Sequence, residues 1–117
     1  MTSRLLILAG GVCGAAGVGL SAIAAHGAST NTATAATFLL VHAPALLAIG
    51  LIDFNSILRW AALLLFIGLA LFSGDLVMRD FGESGLFAMA APAGGILMIV
   101  GWLGVAVASL FPRRLLN

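Results

Sequence analysis

The sequence has no lysine, no tyrosine and one cysteine, and charged residues make up only 8% of its 117 positions. A soluble domain carries about 25%, so a water-facing surface cannot be assembled from this chain. Five arginines stand against four acidic residues, for a net charge of +1. Without a basic stripe to neutralise phosphates, nucleic acid is not expected as a partner. Cys13, alone in an apolar, glycine-rich stretch, excludes an internal disulfide and a multi-cysteine metal site and reads as a small packing residue. Two histidines do not make a metal site without further ligands. No nucleophile–base pair, phosphate loop or carboxylate dyad has a recognisable spacing, so neither a cofactor nor an enzymatic activity is expected.

What the chain does have is long apolar runs: 62% of residues are hydrophobic and the mean hydropathy is +1.22. From Leu5 to Ile52 there is no Asp, Glu, Lys or Arg. As helix that run far exceeds one hydrocarbon core of ~30 Å and must cross twice. The stretch His26-Gly27-Ala28-Ser29-Thr30-Asn31-Thr32 gathers turn formers and capping residues and marks the break. It predicts a first helix over about 4–25 and a second over about 34–52. Three further apolar segments argue for a first membrane span rather than a cleaved leader at the N-terminus.

Asp53-Phe54-Asn55-Ser56 predicts a tight turn, with Asn55 or Ser56 capping a third helix over about 57–78. The uncharged stretch between Arg59 and Asp75 is shorter than the ~20 residues a crossing needs. Asp75 is therefore drawn inside the membrane boundary, whereas Arg59 can snorkel to its own surface. Gly82 and Gly85 break the helix, 86–91 is a candidate short interfacial helix, and Pro92 opens a fourth helix over about 92–110. The expected fold is a single all-α domain, a four-helix transmembrane bundle over residues 1–117. The ends sharing Arg4, Arg59, Arg113 and Arg114 fall on one side and Arg79 on the other, which predicts that both termini are cytoplasmic.

Lipid supplies no hydrophobic force between helices, so association depends on small residues and a few polar contacts. Gly10 and Gly14 form a G-x-x-x-G pair, Ala15 and Gly19 repeat the spacing, and Gly94, Gly95 and Gly101 echo it in the fourth helix. This pattern suits packing within one chain or between copies, so a homo-oligomer stays open. Trp60 and Trp102 read as interfacial or packing aromatics, and Met78, Met89 and Met98 as gap-fillers.

Ionisable groups inside membrane spans are costly and mark pathways or buried polar contacts. His42 lies mid-helix, two residues before Pro44, which cannot bond the Leu40 carbonyl. Asp75 and Arg79, four apart, can pair on one helix face, beside Ser73 and Gly74. His26, His42, Asp75 and Arg79 are the candidate lining of one outward-facing polar cleft. The alternative is an interfacial ion pair plus one interhelical hydrogen bond from His42.

Ala24-Ala25-His26-Gly27, His42-Ala43 with Leu46-Leu47, Leu71-Phe72-Ser73-Gly74, and Pro92-Ala93-Gly94-Gly95 with Gly101-Trp102 occur in this order along nearly the whole chain. In these motifs it resembles the small bacterial inner-membrane proteins typified by YgdD, a domain-of-unknown-function family (number 423) related to the eukaryotic transmembrane protein 256. The family pattern has Gly-Ala-His-Gly at the first motif, more aromatics before the second histidine, and a small or polar residue at position 75. The resemblance implies a four-helix membrane protein of the bacterial inner membrane, with His26, His42, Ser73 and Pro92 at motif positions, and it implies no activity. The function expected is that of a binding, scaffold or accessory subunit contacting lipid or a membrane-protein partner. The alternative is a small oligomeric transporter or channel using His42 and Asp75 as proton or substrate groups.

Overall fold

The computed structural model describes residues 2–27, 30–82 and 84–113; Ala28, Ser29 and Arg114, named above, lie outside them. Four helices account for most of the chain: α1 (Ser3–Ala25), α2 (Thr30–Leu51), α3 (Ser56–Phe81) and α4 (Ala90–Ala108). At about 1.5 Å per residue each is long enough, or nearly so, to cross a ~30 Å hydrocarbon core, and all four are apolar enough to do so. The bundle measures 53 × 26 × 18 Å. Large apolar side chains such as Leu8, Val18, Trp60, Ile99 and Leu103 face outward, an arrangement stable only where lipid replaces water.

The helix ends follow local chemistry. The Thr2 hydroxyl accepts from Leu5 N at 3.3 Å and starts α1. Gly27, at φ +102, ends it in the left-handed conformation that glycine tolerates. Asn55 caps α3, its side chain accepting from Leu58 N at 3.0 Å. α2 begins four residues before the predicted Thr34, because its first turn is capped from a distance. The Asp80 carboxylate, near the end of α3, accepts from Thr32 N at 2.8 Å, from the Thr32 hydroxyl and from Asn31 Nδ2 at 3.2 Å. These bonds satisfy an amide of the first turn from another helix. α3 likewise runs to Phe81, beyond the predicted Met78. The expected interfacial helix over 86–91 does not form: 84–89 are bends and turns, and Ala90 and Ala91 already belong to α4. Pro92 still lies in the first turn, where its missing N–H has no helical partner to lose.

α1 packs along α2, α4 along α3, and the α2–α3 contact joins the two antiparallel hairpins. The close approaches are made by glycine. A Cβ on Gly10 would stand 3.0 Å from the Ala43 carbonyl oxygen, and one on Gly17 2.8 Å from Leu40 Cγ. On the other hairpin, a Cβ on Gly68 or on Gly94 would lie 2.6 Å from the other's carbonyl oxygen, and one on Gly101 2.8 Å from Leu65 Cγ. Of the glycines expected to pack, Gly14 makes only ordinary contact, and Gly95 faces open space. Gly95 is one residue round the helix from Gly94 and so points about 100° away from the α3 contact. Gly17, which with Gly11 was expected to widen the slender face of the first helix, is in close contact while Gly11 meets open space, and Gly50 and Gly68 carry further close contacts. Between the helices lie Leu6, Leu39, Leu46, Leu65, Leu69 and Met98, with Cys13 among them.

One end of the bundle collects the N-terminus, the 53–55 turn and the end of α4. Arg59 donates to the Ser3 hydroxyl at 2.9 Å, Asn55 Nδ2 to the Ala108 carbonyl at 2.9 Å, and Arg113 Nε to the Asp53 carbonyl at 3.1 Å. The opposite end holds His26, Thr32, Arg79 and Asp80.

Candidate functional site

Among the described residues, no hydrogen bond joins His26, His42 and the Asp75–Arg79 pair to one another. They fall into separate clusters, each closed by its own hydrogen bonds.

His42, only 4% exposed, projects from α2 toward α4. Its Nδ1 lies 2.8 Å from the Phe38 carbonyl oxygen, and Trp102 Nε1 donates to its Nε2 at 3.0 Å. An indole nitrogen can only donate and a carbonyl can only accept. These partners fix a tautomer with Nε2 as acceptor and the proton on Nδ1, and they occupy both ring nitrogens. Phe38 stacks on the imidazole at 6.0 Å and also meets Phe72 of α3 at 4.6 Å. This aromatic seam joins α2, α3 and α4. The ring turns to the Phe38 carbonyl, not to the Leu40 carbonyl that Pro44 cannot bond.

Asp75 is fully buried. Oδ2 accepts from Arg79 Nε at 2.9 Å and Oδ1 from Leu86 N at 2.8 Å. The expected pairing with Arg79 is thus present, and the arginine side chain is 47% exposed and reaches outward. The second oxygen has a role that helix periodicity cannot reveal: it pins the α3–α4 loop. Gly85 makes this possible, because a Cβ there would collide with the carboxylate. In the sequence Gly85 reads only as a helix breaker.

His26 caps the C-terminal end of α1, exposed, its Nδ1 2.8 Å from the Ala22 carbonyl oxygen. It lines a surface hollow with Ala22, Ile23, Gly27 and Phe81. No hydrogen bond joins it to His42, Asp75 or Arg79 among the described residues. Ser73 is buried on α3, and its Oγ is the one buried side-chain polar atom without a partner among the described residues. It lines an apolar groove of about 350 Å³ between α1 and α3, with Cys13 on the opposite wall. Trp102 and Asp80 are the polar partners that sequence reading missed. A tryptophan in a span has no periodic mark of hydrogen bonding, and a cap supplied by another helix leaves no local spacing.

Four long apolar helices with closed polar clusters define a multi-pass membrane protein. The model of a family described as "Protein of unknown function (DUF423)" matches residues 20–95, and the chain belongs to this family. A UPF0382 membrane protein of Staphylococcus epidermidis is 32% identical over 117 residues, covering 92% of this chain and 96% of the relative. Counterparts are 31% identical in Staphylococcus saprophyticus, over 89% of this chain and 95% of the relative, and 31% identical in Haemophilus influenzae, over 95% and 94%. No solved structure matches the chain.

Proposed function

We propose that the chain is a membrane-embedded binding subunit or small scaffold of the bacterial inner membrane, without catalytic activity, that meets lipid or another membrane protein through its outer surface. One observation carries this reading: both nitrogens of His42 and both oxygens of Asp75 are engaged inside the protein. A transport site needs a titratable or coordinating group that can release one partner for another, whereas these groups hold helices and a loop in place. Both termini are proposed to face the cytoplasm. Arg4 lies in the first turn of α1 at the end where Arg59 and Arg113 meet Asp53 of the 53–55 turn, and that end gathers most of the arginines.

Purified protein in sealed liposomes, given a pH gradient and a reporter dye, is expected to dissipate the gradient no faster than empty vesicles. A flux that disappears in His42→Ala or Asp75→Asn would overturn the binding reading in favour of a transporter.

A further inference from the structure

We propose that the groove between α1 and α3 is the seat of α1 from a second copy of this chain, making a twofold dimer within the membrane. The pairing goes beyond the binding role above and holds whether or not a further partner is bound.

α1 packs along α2 and has no extensive packing on α3, which it meets at one end through the Arg59–Ser3 hydrogen bond. The space left between them is a series of hollows. One is lined by Leu5, Leu8 and Phe66; the next shares Val12 and Phe66 and continues past Cys13 and Ser73; the last lies between Ile23 and Phe81. From Leu5 to Ile23 the groove runs roughly 27 Å along α1, close to the ~30 Å hydrocarbon thickness. A lipid chain reaches only half that depth, from its own leaflet. A transmembrane helix matches the whole length.

The groove holds one polar request. Ser73 is 4% exposed and its hydroxyl has no partner, although a serine in a helix commonly returns its hydrogen to the carbonyl four residues back. A buried donor left open in hydrocarbon is costly. A helix passing with a slender face could bring a backbone carbonyl within reach.

Such a face adjoins the groove on this chain. Gly11, Ala15 and Gly19 lie at four-residue spacing on the exposed side of α1, and a Cβ on Gly11 or Gly19 would meet nothing within 4 Å. Glycine is a poor helix former, and no contact inside the monomer calls for it there. Small residues at this spacing are what close parallel helix crossings in membranes use. Groove and stripe meet along Leu8 and Val12, so a twofold axis beside α1 seats each copy's α1 against the other's stripe and groove. Every surface required is then present on one chain, as an isologous contact demands.

The test is disulfide trapping of the full chain in native membranes, in a Cys13→Ser background. Ala15→Cys is expected to give mostly dimer under mild oxidation, and Ile99→Cys, on the outward face of α4, to stay monomeric. Adding Gly11→Leu or Gly19→Leu should cut the Ala15→Cys dimer at least fivefold, and Ser73→Ala should cut it measurably. The melting temperature of the detergent-solubilised monomer should be unchanged in the two leucine variants, because their side chains enter open space. Dimer yield from Ala15→Cys no greater than from Ile99→Cys, or indifferent to the leucines, would overturn the proposal. So would trapping of a product of another mass, or a co-purified lipid lost specifically in Ser73→Ala with no dimer formed, since either would put a different occupant in the groove.

Discussion

Gly94→Leu is expected to part α4 from α3, and Gly95→Leu, one residue along, to leave the bundle intact. At Gly94 the first added carbon already falls 2.6 Å from both the Gly68 carbonyl oxygen and Phe72 N. These are backbone atoms that cannot swing aside. A single overpacked methyl in a tight core costs about 1–3 kcal/mol, and a leucine demands that the two helices separate. At Gly95 the same side chain enters space that lipid fills, and it gains the helix preference that glycine lacks, about 1 kcal/mol at most. Thermal or denaturant unfolding in a mild detergent, followed by tryptophan fluorescence, should show Gly94→Leu melting far below the parent and Gly95→Leu at or slightly above it. Equal destabilisation by the two would mean that α4 does not present this face to α3.

Asp75→Ala is expected to free the α3–α4 loop while sparing the membrane spans. The carboxylate is the partner of Leu86 N at 2.8 Å and of Arg79 Nε at 2.9 Å, and its removal strands a backbone donor and releases a guanidinium that can turn to water. A hydrogen bond to a charged group contributes enough that its loss should speed exchange of the Leu86 amide about tenfold or more. Asp75→Asn keeps an oxygen for Leu86 but offers no charge to Arg79, so its effect should be intermediate. Hydrogen–deuterium exchange resolved to the 84–89 segment, with protease sensitivity of the same loop, makes the comparison. Uniform acceleration across all four helices would instead assign Asp75 to the stability of the whole bundle.

The four spans, the family and the membrane setting were legible in the sequence because each is written in local pattern. Uncharged runs of spanning length, turn residues between them and motifs in a fixed order need no tertiary information. The Asp75–Arg79 pair was legible for the same reason, since four residues is one helical turn. What escaped is non-local. The start of α2 was misplaced because its cap, Asp80, comes from α3. The cleft expected from His26, His42, Asp75 and Arg79 assumed that polar groups inside a membrane gather. Instead each found a nearer partner: a tryptophan on α4, a loop amide, a carbonyl one turn back. Glycine spacing marked Gly10, Gly94 and Gly101 correctly but could not separate them from Gly95, because neighbours on a helix differ by direction and the direction of α3 is set by the fold.

The central claim is that the ionisable groups within the spans are occupied by the protein itself, and His42 tests it most directly. Protein labelled with ¹⁵N-histidine and reconstituted in lipid at neutral pH should give a His42 ring with its proton on Nδ1 and an unprotonated, hydrogen-bonded Nε2, and Trp102→Phe should shift the Nε2 signal while leaving that of His26 unmoved. A proton on Nε2 in the parent protein, or an Nε2 signal indifferent to Trp102→Phe, would contradict the closed arrangement and return His42 to the list of groups available for transport.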